Sequence, residues 1–279
     1  MMNKILVATD LSKGATLALQ RAALIAKSTG ASLEVVHVLD SVWPDEELDR
    51  QELAARDIIA SHLPSDLANT AEVTTQILRG QDYVEIVKRA TDEAVDLIVL
   101  GAHRNKILEL FRGTTSERII RLGHIPVLVV NTAAKEPYRR LLLAYDFSPH
   151  AQRALQFSAE WLPKSEIHLV HAMHVPFKGF LGQETQEQFA VEEREKIART
   201  IDNDISDLKK KLGASCPTFK VSINEAEPQT MLQNLVRETS PDLLVLGTHG
   251  RTGILHLVIG STAEELIAIA AVDVLAVNA

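Results

Sequence analysis

Cysteine is nearly missing from this chain, with Cys216 the sole example among 279 residues. One thiol excludes an intramolecular disulfide framework and any zinc centre built on cysteines. Aromatic residues make up only 4% of the sequence, so a core has to be built from aliphatic side chains. Basic residues are in deficit: 29 Lys and Arg stand against 37 Asp and Glu, a formal charge of −8. That sign speaks against broad binding to nucleic acid or acidic membrane surfaces, because phosphate backbones need concentrated cations. A local cleft for one small anion is still open to it. No apolar run reaches the roughly 18–20 residues of a membrane span, and the stretch Leu266–Val277 is cut by Asp273. The segment Met1–Asp10 carries a lone Lys and an apolar run too short for a signal peptide, so a cytoplasmic protein is expected.

What is present is a globular balance, 46% hydrophobic and 24% charged, in a length that suits about two domains. The chain also says the same thing twice. Lys4-Ile-Leu-Val-Ala-Thr-Asp10-Leu-Ser12 returns as Arg140-Leu-Leu-Leu-Ala-Tyr-Asp146-Phe-Ser148. Val95-Asp-Leu-Ile-Val-Leu-Gly101-Ala-His103 returns as Pro241-Asp-Leu-Leu-Val-Leu-Gly247-Thr-His249. Gly113-Thr-Thr-Ser-Glu117 returns as Gly260-Ser-Thr-Ala-Glu264, and both halves close on an apolar run ending in Asn131 or Asn278. A repeat of this length is a duplicated domain, with its seam in the short linker Thr132–Tyr138 and domains at 1–134 and 135–279.

Within each half, continuous apolar strands alternate with helical patterns, the mark of a parallel sheet covered on both faces. In the first half the strands are read at about Lys4–Thr9, Ser32–Leu39, Val73–Leu78, Leu97–Gly101 and Val127–Val130. Ser12 caps a helix that turns Leu17, Leu24 and Ile25 inward and stops at Gly30; Ser148 and Pro149 open its counterpart, which runs through Trp161. Right-handed crossovers then give two α/β, doubly wound, Rossmann-like domains, whose ligand crevice lies beyond the carboxyl ends of the strands. Ile197, Ile201, Ile205, Leu208 and Leu212 mark the inner face of a long amphipathic helix. The loop His174–Gly182, with two phenylalanines, reads either as a flap over an apolar pocket or as a plain connection.

The sharpest motif is Gly247-Thr-His-Gly250, then nine residues, then Gly260-Ser261-Thr262. Glycines allow close approach of backbone to a ligand, and a helix start offers unpaired N–H groups and a positive dipole end to phosphate. Ser261 and Thr262 hydroxyls and the Arg251 cation add to that cradle. Ser261-x-x-Glu264 is equally a capping box that needs no ligand, and Thr114-x-x-Glu117 repeats it. Asp10 and Asp146 read as ligand groups or as turn residues. His168, His171 and His174 alternate along one strand and cannot form a compact metal triad. A cross-strand pair, His37 with His103 or His171 with His249, could hold zinc if a carboxylate joined it, but reads first as ordinary hydrogen-bonded histidine, so no metal site is assigned. No nucleophile elbow, P-loop or dinucleotide fingerprint appears, and no catalytic residue is assigned.

The spacing Gly-x-x-Gly, nine residues, Gly-Ser after an Asp-Leu-Leu-Val-Leu strand resembles the universal stress protein family, over nearly the whole chain as two tandem domains. The resemblance implies a stress-response or regulatory protein that binds ATP or a related adenine nucleotide, with or without Mg²⁺, in its second domain. Ala144, Asp146 and Ala172 would bracket the nucleoside there. Gly247, His249, Gly250, Arg251, Gly260, Ser261 and Thr262 would take ribose and phosphates. The first domain departs from the pattern, with Arg104 where the second glycine belongs. Asp10, Gly101, Gly113 and Thr114 stay as weaker candidates. The resemblance further implies pairing through the two final strands, an intramolecular pseudo-dimer able to double into a homodimer, and at most slow ATP hydrolysis. The alternative is a nucleotide-independent tandem scaffold for an apolar small molecule or protein partners.

Overall fold

The computed structural model describes all residues except Met1, Asp66, 68–70, 103–112, 174–182 and 249–259, and omits the side chains of 183–186, 261 and 262. The first half runs β1 (Lys4–Ala8), α1 (Lys13–Thr29), β2 (Ser32–Leu39), α2 (Asp45–His62), β3 (Val73–Arg79), α3 (Asp82–Asp92), β4 (Leu97–Gly101), α4 (Thr115–Leu122) and β5 (Val127–Val130). The second half repeats it as β6 (Arg140–Ala144), α5 (Pro149–Trp161), β7 (Glu166–Met173), α6 (Gln183–Leu212), β8 (Thr218–Glu225), α7 (Pro228–Thr239), β9 (Leu243–Gly247), α8 (Ser261–Ile269) and β10 (Asp273–Val277). All ten strands join one sheet in the order β3-β2-β1-β4-β5-β10-β9-β6-β7-β8. Every neighbouring pair is parallel except β5 with β10, where Leu128 faces Leu275 across an antiparallel seam.

Strand residues alternate between two cores, one on each face of the sheet. Ile5 and Val7 point toward α1, α2, α5 and α6, whereas Leu6 and Ala8 point toward α3, α4, α7 and α8. The inner stripe of α1 is Ala18, Leu19, Ala22, Ala23, Ile25 and Ala26; Leu17 only packs at its margin. This corrects the stripe expected through Leu17 and Leu24. A row of alanines lets the helix sit closer to the sheet than a row of leucines would. The predicted face of α6 is buried as expected at Ile197, Ile201, Ile205 and Leu208.

The seam is bolted by side chains as well as by strands. Asp273 opens β10 with 0% exposure. Its Oδ1 accepts the N–H groups of Asn131 (2.8 Å) and Thr132 (2.9 Å) and the Thr132 hydroxyl (2.9 Å). Its Oδ2 accepts the Tyr138 hydroxyl at 2.5 Å and lies 3.3 Å from Nε of Arg21. Arg21 also lies over the Tyr138 ring at 4.3 Å and donates to Glu136 O at 2.8 Å. A buried carboxylate so surrounded needs no water. The terminal asparagines cross the seam in both directions: Asn131 Nδ2 donates to Val272 O, and Asn278 Nδ2 donates to Gly123 O.

A second pair of carboxylates pins the strand starts. Asp96 accepts the backbone N–H groups of Asn3 and Lys4, and Asp242 repeats the role with Arg139 and Arg140, whose guanidinium adds a 2.9 Å bond. Partial burial opposes the charge on Asp242, but those N–H groups outweigh it and hold the carboxyl below the usual carboxylate range. A depressed folded pKa stabilises above the unfolded value of about 3.9 and is lost as pH falls through the folded one. Urea midpoints of the wild type and Asp242→Asn are therefore expected to differ by a constant amount above about pH 5 and to converge in acid. A gap that stays constant down to acid unfolding would remove this role from Asp242.

Candidate functional site

Sequence order reverses on either side of β1, flanked by β2 and β4, and of β6, flanked by β7 and β9. In a doubly wound sheet such switch points open a crevice beyond the carboxyl ends of the strands. In the first half it is a cavity of about 330 Å³, lined by Ala8, Asp10, His37, Val38 and Gly101 at the strand ends and by Asp82 and Thr115 at helix starts. Strand pairing is the same in both halves, with Lys4 opposite Ser32 and Arg140 opposite Glu166. Ala144, Asp146, Ala172 and Gly247 thus hold the positions of Ala8, Asp10, Val38 and Gly101. His249, Gly250 and Arg251 lie outside the described residues, as do the side chains of Ser261 and Thr262. The flanks of that stretch are held together, since Gly260 N donates to Thr248 O at 2.8 Å.

The two Asp-x-Ser turns are copies. Oδ1 of Asp10 and of Asp146 each accepts the N–H two residues on, at 3.0 Å, and each following serine caps its helix. The turn reading of both aspartates is therefore realised in the fold. Closing so tight a turn puts Leu11 at φ 64° and Phe147 at φ 65°. A left-handed branched or bulky residue costs roughly 1–2 kcal/mol, a strain that clusters at functional sites.

Gly101 and Gly247 serve packing more than conformation. A Cβ on Gly101 would lie 2.4 Å from the backbone of Gly14, and one on Gly247 would lie 2.8 Å from the N of Ala151. Each strand end thus butts against the first turn of the next helix. Neither glycine is left-handed, whereas Gly113 is, at φ 83°.

The two helix starts beside the crevices differ. In the first half Thr114 is the N-cap of α4, its hydroxyl accepting Glu117 N at 3.1 Å. The buried Glu117 carboxylate turns back to accept Gly113 N at 2.6 Å and pairs with Arg121. Thr115 donates its hydroxyl to Asp82 at 2.5 Å. An incoming phosphate would find Gly113 N and Glu117 N already engaged and two carboxylates, Asp10 and Asp82, on the cavity wall. In the second half α8 begins one residue earlier in the motif, with Gly260 as N-cap and Ser261 as the first helical residue. The expected capping box turns on the Ser261 side chain, which lies outside those described. Where the first half has Asp82 opening α3, the second has Pro228 opening α7. Asp82 and this difference were not singled out from the sequence, though aligning the two halves position by position exposes both.

Three strand histidines are hydrogen-bonded within the fold. His37 Nδ1 lies 2.7 Å from Thr9 O, His171 Nδ1 lies 2.7 Å from Tyr145 O, and His168 Nε2 lies 2.7 Å from Ser222 Oγ. Burial, then the Lys220 charge, push the His168 pKa down. His103, His174 and His249 lie outside the described residues, as does the rest of the His174–Gly182 loop.

A duplicated doubly wound sheet with a topological switch point in each copy defines the class, a tandem α/β Rossmann-like protein. The model of the universal stress protein family matches residues 1–131 and again 137–278, and the chain belongs to that family. It is similar to a universal stress protein of Synechocystis, 24% identical over 303 residues that cover 98% of this chain and 99% of that one. Universal stress protein A homolog 1 of Coxiella burnetii is 28% identical over 150 residues, 50% of this chain and 96% of its own. A crystal structure of a universal stress protein from Archaeoglobus fulgidus superposes with a TM-score of 0.73 at 20% identity, covering 99% of this chain and 96% of that one. No described helix is long and apolar enough to cross a membrane.

Proposed function

We propose that the chain is a cytoplasmic stress-response regulator that binds ATP, with Mg²⁺ as its companion cation, in a second domain spanning 135–279. In this reading Ala144, Asp146 and Ala172 hold the nucleoside. Gly247, His249, Gly250, Arg251, Gly260, Ser261 and Thr262 take ribose and phosphates. The observation that carries it is the contrast between the helix starts: at α4 the Thr114 hydroxyl and the Glu117 carboxylate engage Glu117 N and Gly113 N, while α8 begins one residue earlier in the motif, on Gly260, which has no side chain. A helix start on glycine leaves room for an anion beside the positive end of the helix dipole. The first domain, 1–134, keeps Asp10, Gly101, Gly113 and Thr114 as the frame of a degenerate crevice unsuited to phosphate. Pairing through β5 and β10 makes the chain a pseudo-dimer, able to associate again as a homodimer. The reading assigns no catalytic residue and at most slow hydrolysis.

Isothermal titration of ATP–Mg²⁺ into the full chain is expected to give a single saturable site per chain. Gly250→Arg, which copies the first domain's Arg104, is expected to weaken it by roughly tenfold or more, a loss of at least 1.4 kcal/mol. Equal heats from the two proteins would discard the assignment. A nucleotide-independent scaffold for apolar small molecules is the second reading, favoured by the apolar cleft between α1 and α5.

A further inference from the structure

A cavity of about 560 Å³ belongs to neither crevice. It opens between the carboxyl ends of α1 and α5, beside the linker that joins the halves, and is walled by Met2, Pro137, Tyr138, Trp161, Leu162 and Leu212. Lys13–Thr29 spans 17 residues, so the cavity lies about 25 Å from the end of α1 that borders the first crevice. Its volume falls within the range of small-molecule sites, about 300–1,000 Å³. Its back wall is rigid: Tyr138 meets Trp161 edge-on at 5.9 Å, and Tyr138 is fixed by Asp273 and Arg21. An apolar hollow kept open by a fixed aromatic wall marks a place for an apolar guest.

Two cations stand at its rim. Arg139 and Lys164 are exposed and form no ion pair among the described residues. Of the two carboxylates near them, Glu160 in the lining is paired with Lys211 at 2.8 Å, which holds its pKa below the usual range, and Asp242 is engaged by the backbone N–H groups of Arg139 and Arg140 and the Arg140 guanidinium. The carbonyl ends of α1, α5 and α6 also face this region and together carry about one and a half negative charges, which two full cations exceed. We propose that this cleft binds an amphipathic monocarboxylate, a medium-chain fatty acid in size, with its tail against Trp161 and its carboxylate between Arg139 and Lys164. The proposal does not depend on nucleotide binding.

The chain has two tryptophans, so Trp43→Phe leaves Trp161 as sole reporter. Titrating decanoate into that full-length variant below the surfactant's aggregation limit is expected to change Trp161 emission saturably, with or without ATP. Arg139→Gln with Lys164→Gln is expected to weaken decanoate by roughly tenfold, the size of two rim charge contacts, and to leave decanol unchanged. Ser28→Phe, on the exposed end of α1, is expected to block both. The proposal falls if decanoate gives no saturable change or if decanol and decyltrimethylammonium bind as well as decanoate. It falls equally if the charge variant binds decanoate like its parent, or if ATP displaces it.

Discussion

Asp273→Ala is expected to destabilise the whole chain by about 3–5 kcal/mol, the cost of breaking a buried, hydrogen-bonded ion pair from one side. The loss comes from what stays behind. Arg21, 4% exposed, would keep its charge with no carboxylate to face. The amides of Asn131 and Thr132 and the Tyr138 hydroxyl would lose their shared acceptor. Burial already pushes the Tyr138 pKa well up, with the Asp273 charge adding to it, so the phenol stays a neutral donor at every working pH. Domains are stable by only about 5–15 kcal/mol, so this is a large fraction of the total. Urea unfolding followed by far-ultraviolet circular dichroism measures it. A loss below about 1 kcal/mol, the worth of an exposed ion pair, would show that the cluster is not the bolt described.

The second large effect tests the seam itself. Leu128 and Leu275 are each 0% exposed and stand opposite one another across β5 and β10. Truncation of either to alanine is expected to cost about 2–5 kcal/mol. Opposed residues of an antiparallel pair have Cβ atoms about 4.5–5.5 Å apart, so the double variant should lose less than the sum. Trp43 lies in the first half and Trp161 in the second, which gives each half its own optical reporter once the other tryptophan is replaced. Both reporters are expected to unfold at one midpoint in Leu128→Ala. Two midpoints, with only Trp43 shifted, would make the halves independent folding units and the seam a mere contact.

The architecture was readable because it is written in strand length and repetition. The expected strands at Ser32–Leu39, Leu97–Gly101 and Val127–Val130 are those found, and Ser12 and Ser148 cap the helices assigned to them. What stayed hidden depends on partners distant in sequence. Asp273 registered only as a charge interrupting an apolar run, although a lone carboxylate inside a strand calls for a buried donor, and Arg21 on the inner stripe of α1 supplies one. The cap register was equally out of reach. Gly-Thr-Thr-Ser-Glu and Gly-Ser-Thr-Ala-Glu look interchangeable, yet Thr114 caps one helix and Gly260 the other. Gly101 and Gly247 also answer to a demand the sequence does not display, since their bare Cα atoms are needed by Gly14 and Ala151. A binding defect in Gly247→Ala would therefore report a displaced helix as readily as a lost contact.

Because β5 and β10 run in opposite directions while every other neighbour is parallel, the two crevices open toward opposite rims of the sheet. No molecule of ordinary size can touch both. A ligand held in one could act on the other only by a shift carried through the shared backbone of β5 and β10.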